Sequence, residues 1–277
     1  MPPETVVPSV KRSALIPVIG IALSCASLGQ SYLGFDRNDY PGDANLPTLR
    51  QTFSYAGYWL NNPPGATSNS WVGKRTLLES AGFGFLVLFN GRLDAQLQHN
   101  ATALGRSDGQ AAAAAAKRED FPAHTIIFLD LEEGGRMLSE QKVYIYAWVD
   151  TVNASGFRAG VYCSGIPVQE AKDTTIATAD DIRANARGRE ITFWVVQDSC
   201  PPSPGCTFPR RPPSPAESRV RYAEVWQFVR SPKQPEFAAK CGGYNADANC
   251  YPPGIDPAAH LHIDVNTAAS ADPSHGR

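Results

Sequence analysis

Residues 125–133, TIIFLDLEE, combine a continuous apolar run with three acidic residues at its end. The run has no polar alternation, which is typical of a strand buried on both faces, as in a parallel sheet covered by helices. Because strand side chains alternate, Asp130 and Glu132 point to the same face, roughly 7 Å apart along the chain. Two carboxylates at the end of a buried strand are costly unless one of them holds a proton, so this stretch predicts acid–base chemistry.

Seven other stretches also have the composition of short strands, and helical patterns separate several of them. Alternating strands and helices predict parallel strands with right-handed crossovers, and eight such units in roughly 240 residues fit a (βα)8 TIM-type barrel. We expect an irregular barrel with weak helices after the first and seventh strands. The alternative is an open doubly wound sheet, but residues 34–42, GFDRNDYPG, do not form its usual glycine-rich phosphate turn. The eight predicted strands are residues 32–36, 55–60, 83–89, 125–132, 158–163, 191–197, 224–228 and 261–265.

Acidic residues lie near both ends of this strand series. In a closed barrel the first and eighth strands are neighbours, and the active site forms at the C-terminal ends of the strands. Asp36 and Asp264 each lie opposite the apolar, helix-facing side chains of their strands. We therefore expect Asp36 and Asp264 to face Asp130 and Glu132 across one mouth, where repulsion raises at least one pKa.

Aromatic and amide side chains collect near the same strand ends, which suits a sugar ligand because aromatic faces stack on pyranose rings. Glycoside cleavage needs one protonated carboxyl beside the leaving oxygen and a second group that stabilises or captures the cationic carbon. We assign Glu132 as the general acid and Asp130 as the group that orients substrate or stabilises charge. Asp36 and Asp264 are supporting carboxylates. The predicted substrate-binding residues are Trp59, Asn90, Tyr162, Gln197, Trp226 and Gln227.

These residues also have structural interpretations. Asp36 and Asp264 could end a strand in a turn, and each aromatic residue could belong to the core. Among whole-protein alternatives, a cell-wall-binding module would keep the barrel and the acidic groove without turnover. An esterase or deacetylase has no support, because the chain lacks a Gly-x-Ser-x-Gly elbow and a clear metal triad. Asp130 and Glu132 could be structural acids that form ion pairs with Arg37, Arg92 or Arg158.

The N-terminal residues indicate export. Lys11 and Arg12 precede the apolar segment 14–23, which is too short to span a bilayer, and small residues follow. Residues 22–25 resemble a lipoprotein signal in which Cys25 is lipidated; the alternative is cleavage near Ala26 without a lipid. The expected organisation is a leader at 1–27, a single barrel domain at 32–268 and a flexible tail at 269–277.

The composition limits the expected partners. The 277 residues carry a formal net charge of −2 and 19% charged residues, without the basic stripe of a nucleic-acid-binding protein. No His and Cys spacing resembles a zinc site, so we expect no metal and no organic cofactor. We expect a monomer in the periplasm, cell envelope or extracellular space that binds polysaccharide, attached to a membrane only through a lipidated Cys25.

Four cysteines flank two loops that are rich in turn-forming residues. Cys200 and Cys206 bracket a proline-rich loop, and Cys241 and Cys250 bracket a glycine- and asparagine-rich one. Both spacings suit local disulfides in an oxidising compartment. Cys163, at the end of an apolar strand, fits a small buried hydrophobic residue better than a nucleophile.

Several longer motifs resemble one family, the uncharacterised bacterial glycoside hydrolase-like barrel domains, over about residues 32–266. That domain is itself similar to the family 25 lysozymes, which have (βα)8-type barrels and cleave the peptidoglycan glycan. The resemblance implies an acid role for Glu132 within an Asp-x-Glu motif, together with acids at Asp36 and Asp264. Residues 229–260 depart from the lysozyme pattern. The motifs are LGFDRNDYPG (33–42), YAGYWLNNPP (55–64), GFLVLFNGR (84–92), IIFLDLEEGGRM (126–137), GFRAGVYCSG (156–165), CPPSPGC (200–206) and VWQFVRSP (225–232).

Overall fold

Eight strands close into a barrel in the computed structural model, which describes residues 1, 3–4, 29–97, 100–201, 204–234, 237 and 239–277. The predicted export signal, including Lys11, Arg12 and Cys25, lies outside the described residues. The (βα)8-type fold class is confirmed. The barrel strands are β1 (Tyr32–Asp36), β2 (Tyr55–Trp59), β3 (Gly84–Asn90), β4 (Ile126–Asp130), β5 (Arg158–Ser164), β8 (Thr192–Val196), β9 (Val225–Val229) and β10 (Asp264–Ala268), with a separate hairpin of β6 (Val168–Ala171) and β7 (Thr174–Ile176).

The helices that cover the barrel are uneven in length. The long helices α3 (Ala101–Arg118) and α4 (Ser139–Ala154) pack against each other. Gly105 allows their close approach, because a Cβ there would lie 2.4 Å from the Tyr144 carbonyl oxygen. The helix after β1 has five residues, and the described residues after β9 include one short 3-10 turn, at Pro257–Ala259. The predicted irregularity is therefore present. The helices are α1 (Leu46–Arg50), α2 (Arg75–Ser80), α3 (Ala101–Arg118), α4 (Ser139–Ala154) and α5 (Thr178–Asn185).

The last barrel strand runs in the opposite direction to the prediction. β10 is antiparallel to both of its neighbours, β1 and β9, whereas the other barrel pairs are parallel. It begins at Asp264, so the prediction of a strand over 261–265 that ends in acid is wrong. The segment after β9 connects to β10 at the C-terminal rim. β10 then runs from this rim towards the N-terminal ends of the parallel strands. Asp264 nevertheless lies at the rim, because it is the first residue of a reversed strand.

Residues 269–277 pack against the bottom of the barrel, in contrast to the flexible tail that the sequence predicted. Ser274 is fully buried; its Oγ accepts a hydrogen bond from Val87 N at 2.8 Å and its carbonyl oxygen accepts one from Ile126 N at 2.8 Å. Asp272 accepts a hydrogen bond from Phe85 N at 2.8 Å. Backbone groups at the N-terminal ends of β3 and β4 need partners, and the tail supplies them.

The inside of the barrel is filled by aromatic side chains below the acidic rim. Phe128 lies two residues before Asp130 on the same face of β4, and its ring centroid is 6.0 Å from that of Trp194. Gly160 on the neighbouring strand makes room, because a Cβ there would lie 2.5 Å from the Phe128 ring. This aromatic layer lies directly below the carboxyl groups, on the side away from the rim.

Candidate active site

The four acidic residues predicted from the sequence meet at one cavity of about 400 Å³ at the C-terminal rim. Asp36 ends β1, Asp130 ends β4 and Asp264 begins β10, while Glu132 lies two residues beyond β4. Asp36 and Asp264 are direct cross-strand partners. The cavity size is within the usual range for ligand sites, so the expected convergence yields a space that a ligand can enter.

Asp36 is held by amide groups rather than by cations. Its Oδ1 accepts hydrogen bonds from Asn266 Nδ2 at 2.6 Å and from Gln227 Nε2 at 3.0 Å. Gln227 Nε2 also donates to Asp264 Oδ2 at 3.3 Å, and thus lies between the two carboxyls. Amide donors orient the carboxyl groups without adding the positive charge that would keep them ionised.

Two buried ring residues fix the orientation of these amides. Tyr162 donates its hydroxyl proton to Gln227 Oε1 at 2.7 Å, and Trp194 Nε1 donates to Asn266 Oδ1 at 2.9 Å. Each amide oxygen therefore points to a donor, and each amide nitrogen points to Asp36. Asn266 and Trp194 were not among the predicted site residues, although Asn266 shares the strand face of Asp264.

Burial raises the pKa of three of the carboxyl groups. The pKa of Asp36 is raised to about 6 by burial, against the hydrogen bonds from Asn266 and Gln227, with a further increase from the charge of Glu132. Burial also holds the pKa of Asp130 well above its usual range, helped by the charges of Glu132 and Asp36. The pKa of Asp264 is raised by burial and then by the charge of Asp36. Protons are therefore retained in this mouth near neutral pH.

Asp130 and Glu132 form a hydrogen-bonded carboxyl pair with different access to solvent. Asp130 has 4% of its surface exposed, and its Oδ1 has no hydrogen-bond partner among the described residues. Glu132 is exposed and lines the cavity. Of the two carboxyl groups, Glu132 is the one that a ligand can reach from the cavity.

The arginines proposed as structural partners are placed elsewhere. Arg92 forms an ion pair with Asp108, with Nε 2.6 Å from Oδ2. Arg158 begins β5, at the opposite end of the barrel from the acids. Arg37 Nε is buried without a hydrogen-bond partner in the described part of the chain. Within the described ranges, no ion pair involves Asp130 or Glu132.

The loop that carries Glu132 is anchored on both sides. Glu133 Oε2 accepts hydrogen bonds from Asp94 N at 2.8 Å and from Gln141 Nε2 at 2.6 Å. Farther along, the buried Asp181 accepts from Met137 N at 2.9 Å. These contacts leave Glu132 itself free to face the cavity. They also hold the backbone around it in one position.

Three of the predicted substrate-binding residues line the cavity: Trp59, Tyr162 and Gln227. Their polar groups are already engaged by the protein, since Trp59 Nε1 donates to Arg37 O at 3.1 Å and Tyr162 donates to Gln227. They therefore form a rigid wall and floor. Phe237 at the cavity edge, with 40% of its surface exposed, offers a more accessible ring face.

The other three predicted binding residues lie away from the cavity lining. Asn90 donates through Nδ2 to Asn62 O at 3.0 Å and helps to close a loop. Gln197 is 1% exposed, and its Oε1 accepts from Ser199 N. Trp226 points to the outside of the barrel, because strand neighbours alternate and the adjacent Gln227 points inward. These three residues lie outside the cavity lining, and their role as ligand contacts stays a prediction.

A positively charged cluster forms one wall of the cavity. Asp198 Oδ2 lies 2.8 Å from Arg230 Nε and 2.8 Å from Lys233 Nζ. Burial would raise the pKa of Asp198, but its hydrogen bonds and charge interactions with Arg230 and Lys233 hold that pKa below its usual range. In the sequence, Asp198 directly follows the predicted strand 191–197. The sequence contained no signal for two cations that join this residue from beyond β9.

The disulfide pairing differs from the prediction. Cys206 is bonded to Cys250, with their Cα atoms 5.5 Å apart, so the predicted local pairs Cys200–Cys206 and Cys241–Cys250 are wrong. The two loops lie side by side, with Cys206 N donating to Gly242 O at 3.0 Å, and bonding therefore runs between the loops. Cys163 is buried, as predicted.

Within the described ranges, no group of three His, Cys, Asp or Glu residues is arranged to hold a metal ion. In the same part of the chain, no helix has the length and apolar character needed to cross a membrane.

Barrel and acidic rim together define a glycoside hydrolase-like domain. The chain belongs to the Rv2525c-like family of glycoside hydrolase-like domains, whose model matches residues 60–203, a range that includes Asp130 and Glu132. This confirms the resemblance inferred from the motifs. No curated protein matches the chain.

Solved structures with similar folds come from several bacteria. An uncharacterized B. stearothermophilus protein is 20% identical, with a TM-score of 0.55 over 86% of this chain and 95% of that one. The Mycobacterium tuberculosis Tat-secreted protein Rv2525c is 12% identical, with a TM-score of 0.51 over 89% and 98%. The Clostridium perfringens spore cortex lytic enzyme SleM is 13% identical, with a TM-score of 0.50 over 87% and 68%. At these identities the similarity concerns the fold.

Proposed function

We propose that this protein is an exported glycoside hydrolase that cleaves a cell-wall glycan of the peptidoglycan type. One observation carries the proposal: the exposed Glu132 hydrogen-bonds the buried Asp130, and burial together with the charge of Glu132 holds the pKa of Asp130 well above its usual range. Asp36 and Asp264 face the same cavity, and none of the four carboxyls takes part in an ion pair with a described residue. Acid catalysis of glycoside cleavage needs such a retained proton at an accessible carboxyl.

The chemistry assigned to the site is proton transfer with charge stabilisation. Glu132 gives a proton to the glycosidic oxygen, the bond from that oxygen to the anomeric carbon breaks, and its electron pair leaves with the oxygen. The cationic carbon that results is stabilised by the negative charge that loss of this proton leaves on the carboxyl groups, with Asp130 nearest to Glu132 in the chain. Water then supplies a hydroxyl group to the carbon, and its proton returns to the carboxyl pair.

Family membership and similar folds support the choice of substrate and location. SleM is a spore cortex lytic enzyme and Rv2525c is Tat-secreted, and both share the barrel fold with this chain. The cationic wall at Arg230 suits a glycan that carries acidic substituents, because Arg230 and Lys233 both pair with the single carboxylate of Asp198 and leave an excess of positive charge. With the predicted N-terminal signal, these points favour action in the periplasm, cell envelope or extracellular space.

A second candidate is a glycan-binding module without turnover. It is favoured by the hydrogen bonds that Asp36 already receives from Asn266 and Gln227, since these leave its Oδ1 little freedom to serve a reaction. Binding would then use the cavity walls, and the carboxyl pair would only hydrogen-bond sugar hydroxyls.

The experiment compares Glu132→Gln with Glu190→Gln on purified peptidoglycan. Glu190 is exposed and precedes β8 at the opposite end of the barrel, which makes it a matched control. We expect Glu132→Gln to slow release of reducing ends by about 10²- to 10⁴-fold while co-sedimentation with the glycan persists, and Glu190→Gln to behave as wild type. A wild-type protein that binds without cleavage would establish the binding module. Cleavage by Glu132→Gln at the wild-type rate would contradict the assigned acid.

A further inference from the structure

Beside the cavity, the loop that contains Cys200 and Cys206 is in close backbone contact with the loop that contains Cys241 and Cys250. One disulfide already joins these two loops. Cys206 and Cys250 form that bond, and Cys206 N donates to Gly242 O at 3.0 Å. Gly243 lies so close that a Cβ there would be 2.0 Å from the Cys206 carbonyl oxygen. The relative position of the two loops is therefore fixed at this point, which also fixes which other cysteines can meet.

Cys200 and Cys241 lie next to each other across the same pair of loops. Their thiol groups are hydrogen-bonded, and burial followed by this contact raises the pKa of Cys241 to about 11. Cys241 is buried, and Cys200 Sγ lies 3.6 Å from Asp198 O. A sulfur–sulfur hydrogen bond brings two side chains close to the separation that a disulfide requires. Cys163, by contrast, is buried in the barrel strand β5 and belongs to neither loop.

We propose that Cys200 and Cys241 form a second disulfide between the two loops, in addition to the bond between Cys206 and Cys250. Formation removes two protons and two electrons from the thiols as the sulfur–sulfur bond forms. A disulfide oxidant such as oxidised glutathione accepts them, and its own sulfur–sulfur bond breaks to give two thiols. The exported location that we propose for the protein is oxidising, where such bonds persist.

The two bonds together would hold the cationic wall of the cavity. Asp198 lies two residues before Cys200 and binds Lys233, so the new bond fixes the Asp198 side of that wall. The existing bond fixes the other side, since Cys250 N donates to Ser231 Oγ at 2.9 Å and Ser231 N donates to Asp264 Oδ1 at 2.7 Å. The wall and the neighbouring carboxyl are thus tied to covalent crosslinks.

Peptide mapping of the full chain tests the bond directly. The protein is denatured and alkylated without reductant after exposure to oxidised glutathione, then digested and analysed by mass spectrometry. No Lys or Arg separates Cys200 from Cys206 or Cys241 from Cys250, so the links are assigned from fragment spectra of the linked peptides. We expect these spectra to join Cys200 to Cys241 and Cys206 to Cys250, with complete alkylation of Cys163 as the internal control. Alkylated Cys200 and Cys241 would overturn the proposal, and so would links between Cys200 and Cys206 or between Cys241 and Cys250.

A stability cycle gives an independent test. Cys200→Ser, Cys241→Ser and the double variant should lower the melting temperature by the same amount, about 5 °C or more, because any of them removes one shared bond. A double variant that loses the sum of the two single losses would contradict the bond. Neither experiment uses a glycan, so failure of the proposed hydrolase activity would leave both results intact.

Discussion

Buried aspartates occur on two sides of the cavity, and their partners differ. On one side Asp36 and Asp130 are buried among amides and other carboxyls, and burial raises their pKa values. On the other side Asp198 is equally buried, but Arg230 and Lys233 hold its pKa below the usual range. Burial alone therefore does not decide the state of an acid. A buried aspartate beside a cation stays ionised and becomes part of a charged wall. A buried aspartate without a cation retains a proton.

Replacing Asp130, the buried carboxyl group that retains a proton, should have the largest effect of the changes compared here, and the effect should be on the rate of cleavage. Asp130→Asn keeps the size of the side chain and can still donate a hydrogen bond to Glu132, but it cannot take up or release a proton. We expect the rate of glycan cleavage to fall by about 10²- to 10⁴-fold, with the free energy of unfolding unchanged or increased. The measurement is release of reducing ends alongside urea unfolding. A variant that keeps its activity but loses several kcal/mol of stability would show that Asp130 is structural.

The matching change on the cationic side should affect stability first. Asp198→Asn leaves Arg230 and Lys233 without their shared counter-charge, and Lys233 is 4% exposed. We expect a loss of about 3–5 kcal/mol in the free energy of unfolding. The control is Asp150→Asn, which breaks an ion pair with Arg189 whose carboxylate side chain is 54% exposed and should cost about 1 kcal/mol or less. Equal losses in the two variants would remove the distinction between the two sides.

The pH dependence of stability should differ in sign between the two sides. The pKa of Asp36 is raised from 3.8 to about 6 in the folded protein, so the folded state holds a proton that the unfolded chain releases. Its contribution is fully present below the ordinary value of 3.8 and is lost as the pH rises through about 6, a total decrease of about 3 kcal/mol. Asp198 has a lowered pKa, so its contribution is present above its ordinary pKa and is lost on acidification.

Urea unfolding at pH 4, 5.5 and 7 measures this difference. We expect Asp36→Asn to reduce the wild-type decrease between pH 4 and 7 without abolishing it, because Asp130 and Asp264 contribute in the same direction. The asparagine Oδ1 still accepts the hydrogen bonds from Asn266 and Gln227, which separates charge from geometry. An unchanged pH profile in this variant would show that Asp36 is ionised in the folded protein.

Strand parity accounts for what the sequence predicted well. The Asp-x-Glu spacing placed Asp130 and Glu132 on one face, and the buried run before them identified a strand. Parity also explains one error, because Gln227 and Trp226 are adjacent on a strand and cannot both face the cavity. An inward Gln227 would have excluded Trp226 from the site.

Long-range features were not predictable from local patterns. The direction of β10 depends on how the chain crosses the rim after β9, and turn-rich residues do not encode that path. The same segment delivers Arg230 and Lys233 to Asp198 and sets Cys250 beside Cys206. Each of these contacts joins residues that are distant in sequence, so local spacing favoured the wrong cysteine pairs.

The most direct test of the two-sided account is a carbon-13 NMR titration of the side-chain carboxyl groups in the wild-type protein. The account predicts that Asp36 titrates with a midpoint near pH 6 and that Asp198 titrates below its ordinary value of 3.8. Titration of Asp36 near its ordinary value of 3.8, together with Asp198, would contradict it.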